Sequence, residues 1–292
     1  MCGIVGLHLR DPELYPQLGR LLDSMLCGVV ERGPDSAGVA VYGDSRRSPE
    51  GYATVSVLLP EDAETSGLAA DGALVTPAGD TTIVAAPIGI DELVARVTTA
   101  FPTAVVVGSG HELAVYKGTG HPRELAATYD LVNANGWQGL AHTRMATESA
   151  VIPAGCHPFS VGPDQCLVHN GSFSNHATIR RHLEREGVHF DSENDSEVGA
   201  RFVASRLAQG EDLEKALLAL RETFDGFYTL LVTSAEGFAV VRDPIACKPA
   251  VIAETDAWVA MASEFRALTG LPGIESARLY EPEPGKVYAW TR

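Results

Sequence analysis

A cysteine at position two, directly ahead of the apolar run Gly3-Ile4-Val5-Gly6, is the residue in this chain best equipped for covalent chemistry. Once the initiator methionine is removed, Cys2 carries a thiol nucleophile and an α-amine together. The amine's ordinary pKa of about 7.7–8.0 lets it accept the thiol proton near neutrality. A fraying terminus is otherwise a poor place for cysteine, because a small hydrophobe gains little by burial there. The competing reading is an accidental cysteine, and Cys2 alone does not separate the two. Cys27, Cys156, Cys166 and Cys247 are scattered with no C-x-x-C pair, which points to a reducing compartment without a disulfide framework or a zinc site. His142, His157 and His169 lack the H-x-x-x-H spacing and the acidic partner of a metal motif, so no metal is expected and structural roles are assigned to all three.

Four further motifs follow in order: Arg32-Gly33-Pro34-Asp35-Ser36-Ala37-Gly38, His142-Thr143-Arg144-Met145-Ala146-Thr147, His169-Asn170-Gly171 and Asn194-Asp195-Ser196-Glu197. Each has an ordinary reading. Asn170-Gly171 suits a tight turn after a strand, Arg144 a surface ion pair, Asp195 a helix cap, and Arg32 the opening of a structural turn. Ranged behind Cys2, and followed by Arg242-Asp243-Pro244 and Ala262-Ser263-Glu264, the series resembles the class II glutamine amidotransferase domain, an N-terminal-nucleophile hydrolase, over roughly residues 1–268.

The resemblance implies that Cys2 attacks the γ-carboxamide of L-glutamine and that Asn170 and Gly171 supply an oxyanion hole. A side-chain NH₂ and an unobstructed backbone N–H suit a developing oxyanion, and losing one such donor costs on the order of 10²–10³ in rate. Arg144 falls at the family's α-carboxylate anchor, where a planar fork matches the ligand. Asp195 falls at the amino anchor, Thr147 at a substrate-contacting position, and Arg32 in a turn that supports the nucleophile. The implied fold is α+β, a four-layer αββα sandwich with two stacked antiparallel sheets.

The segments Thr143–Val151, Pro163–Asn170 and Asp243–Glu254 are similar to the separate amidotransferase subunit of glutamate-synthase-like complexes, the N-methylglutamate synthase type. That similarity implies a hetero-oligomer in which ammonia passes to a synthase subunit. No cofactor is expected on this chain; flavin mononucleotide, with iron–sulfur clusters beside it, is expected on the partner. No phosphate-binding or dinucleotide fingerprint appears. Met145 and Glu148 stand where sugar-phosphate amidotransferases often carry Trp and His, and Ala246-Cys247 replaces a familiar hairpin glycine, departures that count against the sugar-phosphate and purine-pathway versions. Two rival functions remain: a stand-alone amidohydrolase for another γ-glutamyl amide, and a glutamine sensor without turnover.

The elements that must position these residues are legible in outline. A strand is expected over Ile4–His8, then a helix capped by Asp11 with Pro12 at its first position and an apolar stripe from Leu14 to Val29. Further strands are expected over Gly38–Tyr42, Gln138–His142 and Gln165–His169. Helices are expected over Ala177–Glu186, Ser196–Ala208 (capped by Asp195) and Leu213–Phe224, and a β-rich end follows with strands at Tyr228–Thr233, Gly237–Arg242, Pro249–Ala253, Trp258–Ala262 and Lys286–Trp290. Residues 45–135, with β-like runs and a helix near Asp91–Thr99, read as an elaborated insertion in one domain spanning 1–292. At 292 residues and 45% hydrophobic content the chain can bury a large core, and a net charge of −16 argues against nucleic acid or an anionic membrane as partner. With no apolar run long enough to span a bilayer and no secretory leader, a cytoplasmic location is expected.

Overall fold

The computed structural model describes residues 2–60, 62–145 and 151–292. In chain order, β1 (Gly3–Leu9) leads through a 3-10 segment, Pro12–Gln17, into α1 (Leu18–Cys27) and then β2 (Ser36–Tyr42). Asp11 does accept a bond from the Glu13 amide, yet it caps the 3-10 segment and not the α-helix. Pro16 has no N–H to give, so α-helical bonding begins only at Leu18.

The stretch read as an insertion contributes β3 (Ala53–Leu58), β4 (Leu74–Ala78), β5 (Thr81–Ala86), α2 (Ile90–Ala100), β6 (Val105–Gly110), β7 (Leu113–Thr119) and α3 (Pro122–Thr128). The chain continues with β8 (Gln138–Arg144), β9 (Gln165–Phe173), α4 (His176–Arg185), α5 (Asp195–Ala208) and α6 (Leu213–Thr223). It ends with β10 (Gly226–Ser234), β11 (Gly237–Arg242), β12 (Val251–Glu254), β13 (Trp258–Ala262), β14 (Arg278–Tyr280) and β15 (Val287–Thr291).

Seven strands form one antiparallel sheet in the order β14-β12-β13-β1-β8-β2-β7, and four form a second in the order β15-β11-β10-β9. Alternation along the strands stacks them, since successive side chains point to opposite faces. Val5, Leu7 and Leu9 of β1 pack on Leu18, Leu22 and Met25 of α1, while Ile4 faces Val168 and Leu231 of the second sheet. On the far face of that sheet, Leu230, Val232, Ala239 and Val241 pack against Val203 of α5 and Leu217 and Leu220 of α6. The result is four layers, helix–sheet–sheet–helix, as the family resemblance implied.

A third sheet, β4-β5-β3-β6, has its own small core with Leu93 and Val97 of α2. β7 does not belong to it; it returns to the seven-stranded sheet as an edge paired only with β2. The outward N–H groups of that edge are all satisfied by side chains: Leu113 by Asp164, Val115 by Ser56, Lys117 by Thr81 and Thr119 by Asp80. Three of the four acceptors, Ser56, Thr81 and Asp80, lie within residues 45–135. An open sheet edge is a template for unwanted pairing, and this one is closed by side-chain bonds.

Candidate active site

β1 is short and lies between β8 and β13, so both neighbours fix where its first residue sits. Ser263 brackets its start: the Ser263 hydroxyl accepts from the Ile4 amide at 2.9 Å, and the Ser263 amide donates to the Ile4 carbonyl at 2.9 Å. The Cys2 carbonyl accepts from Arg32 Nε at 2.9 Å and from Asn170 Nδ2 at 3.2 Å. Arg32 in turn pairs with Glu264 at 2.9 Å, and Arg266 draws on the same carboxylate. These two cations hold the Glu264 carboxyl below its usual range, the hydrogen bond from Arg32 contributing most. Ala262-Ser263-Glu264, one of the two late motifs, thus clamps β1 and the arginine beside Cys2.

The turn that begins at Arg32 joins Cys2 to Arg144. Gly33 lies against the backbone of β8, where an added Cβ would stand 2.5 Å from the Arg144 carbonyl carbon, and the Asp35 amide donates to the Arg144 carbonyl at 3.2 Å. Arg144, the last residue of β8, is itself mostly buried.

Asn170-Gly171 is not a turn. β9 runs on through Phe173, with Asn170 opposite Thr229 and Gly171 opposite Tyr228 of β10. Gly171 has φ +149°, and a Cβ there would lie 2.0 Å from the Phe227 carbonyl oxygen, so the strand can pass this point only with glycine. The helix cap also differs from expectation. Asn194, not Asp195, caps α5 by accepting from the Ser196 amide at 2.9 Å. Asp195 is the first helical residue and turns towards β9, taking the Phe173 amide on Oδ2 at 2.8 Å. Glu197 accepts from the Asp191 and Ser192 amides and from Arg201, which holds the segment leading into α5.

Cys2, Arg144, Asn170, Gly171 and Asp195 line one cavity of about 790 Å³, together with His157, His169, Ser196 and Lys248. Arg32 stands behind Cys2 and is not on its wall. Thr147 lies outside the described residues.

His157 and His169 line this cavity, and His142, expected like them to be structural, stacks on His157 behind it. His142 and His157 stack with centroids 4.1 Å apart, and His157 meets His169 edge-on at 6.5 Å. Burial pushes His142 down to about 3 and His169 to about 4, and it lowers His157 as well, with the other two rings adding repulsion. All three are neutral at pH 7. Among the described residues no group of three or more His, Cys, Asp or Glu side chains is arranged to hold a metal ion. Nothing in the sequence separations of 15 and 12 residues signals that these rings touch, and Lys248 and Ser196, though inside Asp243–Glu254 and Asn194–Glu197, carry no sequence signal of a place on the cavity wall.

A family model described as a glutamine amidotransferase domain matches residues 142–270. The chain is 47% identical over 300 residues to the glutamine amidotransferase-like protein GlxB of Rhizobium meliloti, covering 99% of this chain and 98% of that one. It is 31% identical over 313 residues to a putative glutamine amidotransferase of Methanothermobacter thermautotrophicus, with 98% of each chain covered. Among solved structures, the glutamine phosphoribosylpyrophosphate amidotransferase of B. subtilis superposes with a TM-score of 0.64 at 17% identity, over 99% of this chain and 47% of that one, so this chain spans about half of that protein. The fold is that of N-terminal-nucleophile amidotransferase domains, and on the extent of its similarity to full-length relatives the chain belongs to the glutamine amidotransferase family.

Proposed function

We propose that this chain hydrolyses L-glutamine to L-glutamate and ammonia with Cys2 as the nucleophile. The observation that carries the reading is the convergence on one cavity wall of Cys2, Asn170, Gly171, Arg144 and Asp195. The Cys2 α-amine takes the thiol proton, and the sulfur attacks the γ-carboxamide carbon. Asn170 Nδ2 and the Gly171 N–H stabilise the oxyanion that forms. The tetrahedral adduct collapses with cleavage of the C–N bond, the α-ammonium protonates the departing nitrogen, and a γ-glutamyl thioester remains on Cys2. Water, deprotonated by the same amine, attacks the thioester and releases glutamate. Arg144 takes the substrate's α-carboxylate and Asp195 its α-ammonium, so only an amide carrying both free groups is held correctly.

We further propose that the ammonia is consumed by a separate synthase subunit of the glutamate-synthase type, which supplies the flavin and iron–sulfur chemistry. Support comes from the similarity of Thr143–Val151, Pro163–Asn170 and Asp243–Glu254 to amidotransferase subunits of such complexes. The test is glutamate release from glutamine by protein with a mass-verified, methionine-free Cys2 terminus, alone and with a co-purifying partner. The reading expects turnover that the partner raises, and expects Cys2→Ala to bind glutamine without hydrolysing it. Turnover by Cys2→Ala above background would overturn the nucleophile assignment, and turnover indifferent to every partner would overturn the coupled role.

A further inference from the structure

Asp195 is held from two sides. Its Oδ2 accepts from the Phe173 amide of β9 at 2.8 Å, and its Oδ1 accepts from the Ser196 hydroxyl at 3.3 Å. The Ser196 oxygen lies 2.8 Å from His169 Nδ1. A serine hydroxyl has one proton and turns freely unless its partners decide otherwise. An ionised carboxylate has no proton to give, so the Ser196 proton points at Asp195 and its oxygen accepts from His169. Nδ1 of His169 therefore carries the ring hydrogen. The ring is buried and stacks on Phe173 with centroids 4.4 Å apart, and its backbone is held by His142 Nε2, which donates to the His169 carbonyl at 3.2 Å. Ser196 and His169 are both buried, whereas the Asp195 side chain keeps about 20% of its surface open at the cavity wall. A carboxylate offers about four lone-pair sites, and these two bonds occupy half of them.

We propose that His169 and Ser196 are positioning residues that lock the Asp195 carboxylate in the orientation that receives a substrate α-ammonium, and so set the discrimination between α-amino acids and their des-amino analogues. The inference rests on the glutamine reading above. It gives the His169-Asn170-Gly171 and Asn194-Asp195-Ser196-Glu197 motifs one joint purpose. β9 carries the oxyanion donors at Asn170 and Gly171, and on either side of them it carries the two groups that fix Asp195: His169, through Ser196, and the Phe173 amide. The spacing between the reacting carbonyl and the ammonium anchor is thereby set by a single strand.

The experiment compares binding of L-glutamate and of glutarate, which lacks the α-amine, by titration calorimetry on the full chain. Ser196→Ala, His169→Phe, the double variant and Asp195→Asn are measured beside the wild type. His169→Phe keeps a ring to stack on Phe173 while removing Nδ1. The expected result is about a tenfold weaker L-glutamate affinity in each of Ser196→Ala and His169→Phe, with glutarate affinity unchanged, and no further loss in the double variant because both substitutions break one relay. In turnover, Ser196→Ala should raise KM for glutamine about tenfold and lower kcat by less than twofold. Equal weakening of both ligands, additive losses or no loss would overturn the relay. Asp195→Asn separates the two levels of argument. If it weakens L-glutamate alone while Ser196→Ala does not, the relay fails and the ammonium anchor stands; if it leaves L-glutamate affinity unchanged, both fall.

Discussion

Replacing His142 by glutamine should make the protein relatively more resistant to acid, by an amount that follows from its burial. The His142 ring is buried between His157 and the carbonyl of His169, and its pKa is held down to about 3, first by burial and then by the charges that His169 and Arg144 place nearby. In the unfolded chain the same ring titrates near 6.5. Because the folded pKa is the lower one, His142 is neutral in both states above 6.5 and contributes nothing to pH dependence there. As pH falls below 6.5 the unfolded chain takes up a proton that the folded one refuses. Stability then drops by about 1.4 kcal/mol per pH unit for this one group, until the folded ring protonates near pH 3. Between pH 7 and pH 5 the loss is about 2 kcal/mol, and it saturates at about 5 kcal/mol. Glutamine removes the titration while keeping an N–H for the His169 carbonyl. Urea unfolding at pH 7 and pH 5 gives the stability of both proteins. The wild-type minus variant difference should move by about 2 kcal/mol in the variant's favour at pH 5, a large share of a typical domain's stability. His157 and His169 titrate in both proteins and so largely cancel. Parallel loss of stability in the two would refute the claim that His142 is folded in its neutral form.

Arg144→Lys should raise KM for glutamine at least tenfold, since a point charge replaces a bidentate fork, and an unchanged KM in steady-state assays would reject the carboxylate anchor. Gly171→Ala should misfold or lose several degrees of melting temperature, because its methyl would lie 2.0 Å from the Phe227 carbonyl; a wild-type thermal scan would contradict the described strand path. Glu264→Gln weakens the hold on Arg32 and should reduce kcat several-fold with little change in KM, to be read from the same kinetics. Asp164→Ala leaves the His111, Glu112 and Leu113 amides without an acceptor and should cost about 2–4 kcal/mol in chemical denaturation.

What the chain disclosed by itself was chemistry carried on short segments. Cys2 is a single residue, the four motifs and the two late ones are runs of three to seven, and the periodicity of Leu213–Phe224 or the apolar run Phe238–Val241 needs no distant partner to be seen. The four-layer class was implied by the family resemblance those motifs carry. Less visible was anything that depends on pairing register. Asn170-Gly171 has the composition of a turn, yet β10 supplies nine partners to β9 and carries the strand straight through it. Asp195 has the position and chemistry of a cap, but Asn194 is better placed to accept the free amide, and Phe173, 22 residues away, claims the aspartate instead. The closing of β7's edge is invisible in the sequence, because Ser56, Thr81, Asp80 and Asp164 reach it only in the folded chain. The histidine cluster is the clearest case. Sequence types make each ring a candidate for chemistry or for packing, whereas burial of all three beside one another holds their pKa values down. Local composition fixes what a residue can do; which protons it holds and which partner it meets depend on burial and on contacts between strands as far apart as Cys2 and Asn170, and those exist only once the two sheets have stacked.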